Sequence, residues 1–154
     1  MRSKIRGYLA IFIVIVCISG CAINKESEGN EKLISEEVIP LTQVIESDLL
    51  HVKKIEVKFS DGNKMIVTDS GHIKNIVSAL KSVQLQKLSV SQGAGYLYSL
   101  NIYDQEKMIN ILNTFEINGN FYKPVESKNE QLDKTVIRIG RESIPNLLPG
   151  IEIE

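Results

Sequence analysis

Tryptophan is absent from this 154-residue chain, histidine and cysteine occur twice each, and only nine residues are aromatic. Neither His51 nor His72 has a second His or Cys at ligand spacing, so the sequence predicts no zinc site. Calcium loops of the D-x-D-x-D-G type are also missing, and nothing calls for another cofactor. A formal net charge of −1 argues against nucleic acid as a partner, because that binding needs a dense field of Lys and Arg. No segment repeats at a fixed period. What remains is ordinary globular composition, 43% apolar and 24% charged, with length for one domain and one core.

The N-terminus reads as an address. Arg2, Lys4 and Arg6 precede the uncharged run Tyr8–Ile18. That run is 11 residues long, whereas a bilayer span needs about 20, so it fits the apolar region of a signal peptide. The next residues, Ile18-Ser19-Gly20-Cys21, resemble the lipobox of bacterial lipoproteins. In that chemistry two narrow residues enter a peptidase cleft, and the cysteine thiol becomes a thioether to diacylglycerol. The resemblance implies cleavage between Gly20 and Cys21, lipidation of Cys21, and a membrane-bound domain on the extracytoplasmic face. Cys17 would leave with the signal peptide. The mature chain would then have no cysteine for a disulfide, a metal site or a nucleophile.

Charge divides the remainder of the chain. Residues 22–49 carry two lysines against seven carboxylates, and residues 50–154 carry 13 basic side chains against 12 acidic ones. The acidic stretch has no sustained apolar period up to about Glu37 and reads as a flexible spacer that anionic lipid would repel. Val38–Leu50 is expected to form a short helix or to pack loosely on the domain. The expected organisation is a signal peptide over 1–20, a lipidated cysteine and acidic tether over 21–49, and a domain over 50–154.

Within the domain, Ile55, Val57 and Phe59 alternate with Lys54, Glu56 and Lys58, the pattern of a half-buried strand. Asp61-Gly62 predicts a hairpin turn into a second strand over 64–68. Asp69 or Ser70 caps a helix whose stripe is Ile73, Ile76, Val77 and Leu80. Leu85–Val90 is extended or loop. Strands are expected over 96–103 and 108–112, and a hairpin around Asn118-Gly119. Thr135–Ile139 is expected to be the last strand, followed by a short helical turn at Ser143–Leu148. The fold class is α+β: an antiparallel sheet of about five strands with one amphipathic helix packed across it.

Chemical motifs are thin. Ser78-Ala79-Leu80-Lys81 matches an S-x-x-K string, but it falls late on the polar face of a helix and lacks its companion strings. Gly93-Ala94-Gly95 precedes a strand, whereas phosphate-binding glycines follow one. Glu126, Glu130 and Asp133 lie in a polar stretch expected to be solvated. Tyr98 should point opposite to Tyr103, which puts one of them off the core face. The binding candidates are Gly93, Gly95 and Tyr96, as a loop beside a recognition face. The plan of lipobox, acidic spacer and domain is similar to small uncharacterised lipoproteins of low-GC Gram-positive bacteria, a resemblance that implies no particular activity. The sequence favours a non-catalytic binding or accessory domain, with an envelope protein or peptide as partner. The alternative is a small envelope hydrolase with a scattered site.

Overall fold

The computed structural model describes residues 33–153, apart from 92, 94, 126 and 127. Gly20 and Cys21, with the whole signal segment, lie outside the described residues. The fold is α+β, and its described part holds two four-stranded antiparallel sheets and three helices. This corrects the expectation of one sheet of about five strands crossed by one helix.

The chain begins with β1 (Leu33–Pro40), a short helix α1 (Leu41–Val44), and the hairpin of β2 (Val52–Phe59) and β3 (Lys64–Val67). After α2 (Ser70–Ser82) and β4 (Gln84–Leu88) come β5 (Tyr98–Asp104) and β6 (Lys107–Leu112). A small hairpin of β7 (Glu116–Ile117) and β8 (Asn120–Pro124) leads to α3 (Lys128–Ser143). One sheet has the order β1-β4-β8-β7 and the other β3-β2-β5-β6.

Alternation sets the second sheet. Ile55 faces Val67 on one side and Ile102 on the other, and Val57 likewise lies between Met65 and Leu100. All six are buried, while the intervening Lys58, Lys64 and Ile66 are exposed. A slip of one residue would turn every one of these apolar groups to water, so the register is strongly specified. At the hairpin, Gly62 adopts φ +91°, and Asp61 Oδ1 accepts the Asn63 amide at 3.0 Å. Tyr98 is buried and Tyr103 sits on the opposite face, beneath the Lys54 ammonium at 3.8 Å.

Asp69 caps α2 as expected, its Oδ1 accepting the His72 amide at 2.8 Å. Ile73, Ile76, Ala79 and Leu80 form its buried face. Thr135–Ile139, expected as a strand, lies instead in the middle of α3. Leu132, Val136 and Ile139 recur at helical spacing and are buried, with Lys134 and Arg138 exposed between them. Burial of that longer stripe overrides the strand preference of the β-branched run.

The folded part begins ahead of Leu50, the expected boundary of the domain. β1 pairs with β4 from Leu33↔Leu88 to Pro40↔Gln84, with an irregularity between. Leu41, Ile45 and Leu49 then enter the core. Each such side chain gains about 1.5–3 kcal/mol on burial, and this helps hold the end of the acidic stretch against the domain. Pro40 is tolerated because β1 is an edge strand. None of the described helices is long and apolar enough to cross a membrane.

Candidate functional site

The site is built where β5 starts and α3 passes over it. Tyr98, the first residue of β5, is fully buried, and its ring meets the edge of Phe59 at a centroid distance of 6.4 Å. Its hydroxyl therefore needs a partner. It donates to Asp133 Oδ1 at 2.6 Å, a short, charge-assisted bond to the second turn of α3. Burial raises the Asp133 carboxyl above the ordinary aspartate value, opposed by hydrogen bonds to Tyr98 and Asn113 and reinforced by the charge of Glu130. Desolvation, followed by the Asp133 charge, pushes the Tyr98 hydroxyl well up. Asn113 fixes the approach of the strand, with its Oδ1 accepting the Leu97 amide at 2.8 Å.

Beside this pair lies an open cleft of about 490 Å³. Its apolar wall is Leu97 just ahead of β5, Ile137 from α3, and Ile151 and Ile153 from the C-terminal tail. Its charged groups are Glu130, Asp133, Glu152 and Lys134, three carboxylates against one ammonium. The tail is held in place from α3. Arg141 donates through Nε to Leu147 O at 3.2 Å, and through Nη2 to Leu148 O at 3.3 Å and Ile151 O at 2.6 Å. From the other side, Asp61 Oδ2 accepts the Leu148 amide at 3.1 Å. A cleft with an apolar wall and a few oriented polar groups is the ordinary form of a small recognition site.

Comparison with family models, with curated proteins and with solved structures gives no match.

Gly93, Gly95 and Tyr96 are all exposed, and a Cβ built on either glycine would meet nothing within 4 Å. Gly93 has φ +65°, and its amide donates to Ser91 Oγ at 3.3 Å. None of the three lines the cleft, but Tyr96 adjoins Leu97, which does. Asp133, expected to be solvated, is half-buried and paired. Its spacing of one residue from Leu132 and three from Val136 places it on the edge of a helical apolar stripe, a signal that a strand at Thr135–Ile139 conceals. The tail isoleucines carry no local signal at all.

His51 contributes its backbone amide to Asp104 Oδ1 at 3.0 Å. His72 approaches Glu142 Oε2 at 3.2 Å and so bridges α2 and α3. Ser78 and Lys81 are not part of the cleft and lie on α2. Among the described residues, no group of three His, Cys, Asp or Glu side chains is arranged to hold a metal ion.

Proposed function

We propose that this protein is a lipoprotein anchored through diacylglycerol on Cys21 to the extracytoplasmic face of the cell membrane, and that its domain is a non-catalytic binding or accessory module. The module takes up an extended segment of an envelope protein in the cleft between β5, α3 and the C-terminal tail. One observation carries the reading: an apolar wall of Leu97, Ile137, Ile151 and Ile153 beside an excess of carboxylates. That combination suits a peptide with an apolar side chain next to a Lys or Arg. Gly93, Gly95 and Tyr96 lead into the Leu97 wall and would meet the flanks of such a segment.

Crosslinking of the tagged, lipidated protein in cells, followed by mass spectrometry, tests the partner. Ile151→Asp and Ile153→Asp alter side chains that are only partly buried, so circular dichroism should stay unchanged while partner capture is lost. Capture that survives both substitutions places the partner elsewhere. Deletion of Gly93–Gly95, or Tyr96→Ala, should weaken capture without loss of fold. The anchor is tested separately, because Cys21→Ser should abolish lipid labelling and release the protein from the membrane fraction.

The raised carboxyl of Asp133 favours one second reading, a small envelope hydrolase with Asp133 as its acid. Asp133→Asn separates the two. It would abolish turnover in an enzyme, whereas in a binding module it removes one of three carboxylates and should weaken capture only in part.

A further inference from the structure

A second depression, of about 530 Å³, runs along α2 next to the loop between α1 and β2. Ile73 and Val77 form part of its floor, and Lys53, Lys74 and Lys81 stand around it. Among the described residues, no carboxylate lines it. None of the three lysines has an ion-pair partner among the described residues. Leu50 stands at its lip and is 67% exposed, more than any other large apolar side chain among the described residues.

Three uncompensated cations around an apolar groove, with a leucine projecting beside them, form an amphipathic surface of one sign. We infer that this groove docks the domain onto an anionic membrane surface. Leu50 enters the headgroup region, and Lys53, Lys74 and Lys81 meet lipid phosphates. An exposed leucine favours a bilayer over a soluble anion, because only the bilayer also receives the apolar group. Chain length favours it too. Leu33 follows Cys21 by only twelve residues, a reach of at most about 40 Å. The anchor thus keeps the groove at high effective concentration near the headgroups. The anchoring role of this short reach rests on the lipoprotein reading, but the affinity of the groove for anionic lipid does not.

The test uses the chain from residue 21 with Cys21→Ser, which keeps the whole core from Leu41 to Leu148 and carries no lipid. It is sedimented with vesicles of phosphatidylcholine, and with vesicles of phosphatidylcholine and phosphatidylglycerol in equal parts. Binding is expected only to the anionic vesicles and should fall as salt is raised. Each lysine near such a surface is worth roughly fivefold in affinity, so Lys53→Gln, Lys74→Gln and Lys81→Gln together should weaken binding roughly a hundredfold. Lys58→Gln, Lys64→Gln and Arg138→Gln remove the same charge elsewhere and should have a much smaller effect. Leu50→Asn should weaken binding without altering its salt dependence. Equal sedimentation with neutral and anionic vesicles overturns the inference, as does equal behaviour of the two triple variants. Capture of a Glu- and Leu-rich peptide without vesicle binding also overturns it and gives the groove to a protein ligand. Lipid labelling at Cys21 is read in a separate assay, so loss of the anchor and failure of the groove are distinguishable.

Discussion

The Tyr98 hydroxyl donates to Asp133 Oδ1 at 2.6 Å and ties the first residue of β5 to α3. Both groups are withdrawn from water, and burial is the leading cause of the rise in each. The bond thus serves the fold and also sets the electrostatics of the cleft beside it. Replacing the donor by Tyr98→Phe should cost about 1–2 kcal/mol, because Asp133 then keeps its desolvation without its best hydrogen bond. Urea unfolding at pH 7 measures it, and an unchanged midpoint would show that water substitutes for the hydroxyl.

Asp133→Asn should act in the opposite direction. A carboxyl raised in the folded state contributes stability that is fully present below the unfolded value, near 3.9, and is lost as pH rises through the folded value. Ionised Asp133 is therefore a burden at neutral pH, and Asn lifts it while keeping an oxygen for Tyr98. The variant should unfold at higher urea than the parent at pH 7, and the two should converge by about pH 3. A gap that widens in acid would reverse the assigned direction.

Gly140 of α3 lies against Phe59 of β2 with no room for a side chain. A Cβ there would overlap Leu147 Cδ2 and come within 2.9 Å of Phe59 Cζ. The leucine tip can swing aside. The Phe59 ring is buried and locked edge-on against Tyr98. Gly140→Ala gains about 1 kcal/mol of helix propensity but incurs about 1–3 kcal/mol of overpacking. A net loss of about 1 kcal/mol is expected from that difference. A more stable variant in urea would mean that Phe59 repacks freely.

These residues also explain what was legible in the sequence. The Ile55–Phe59 alternation, the Asp61-Gly62 turn, the Asp69 cap and the α2 stripe are local patterns, and the structure carries each of them. Val136 and Ile137 are adjacent and both buried, which a half-exposed strand does not permit. From Leu132 onward the apolar residues recur at helical period, but Thr135–Ile139 by itself holds four strand formers in five residues. Leu33–Leu49 was harder still, since its order comes from β4 and from a core assembled out of distant segments. The cleft was only half legible. Tyr96 only adjoins Leu97 of its wall, whereas Ile151 and Ile153 enter it on a tail that Arg141 holds at the Ile151 carbonyl, which no local pattern announces.

Asp69 should show the pH dependence opposite to that of Asp133. Its carboxylate is held below the ordinary aspartate value, chiefly by the hydrogen bond from the His72 amide. A lowered group contributes stability that is present above the unfolded value and lost as pH falls through the folded one. Asp69→Ala should lower the thermal midpoint at pH 7, and the difference should shrink toward zero well below the ordinary aspartate value of about 3.9. A deficit that persists in acid would mean that the side chain does something other than cap α2 as a carboxylate.

Arg141 decides whether the C-terminal tail forms a wall. Its guanidinium reaches three carbonyls, those of Leu147, Leu148 and Ile151, through two different nitrogens. A lysine ammonium is a single point and cannot reproduce that fork, so Arg141→Lys should behave much like Arg141→Gln. In both variants the Ile151 amide, which donates to Leu148 O at 3.2 Å, should exchange faster with solvent. Amides in the middle of α2 and α3 should keep their protection, because their core contacts are untouched. Partner capture should fall with the tail, since Ile151 and Ile153 leave the cleft when the strap opens. Unchanged exchange at Ile151 in the Gln variant would show that Asp61 alone holds the tail through the Leu148 amide. Faster exchange with full capture would separate the tail from binding and move the recognition surface to Leu97 and α3.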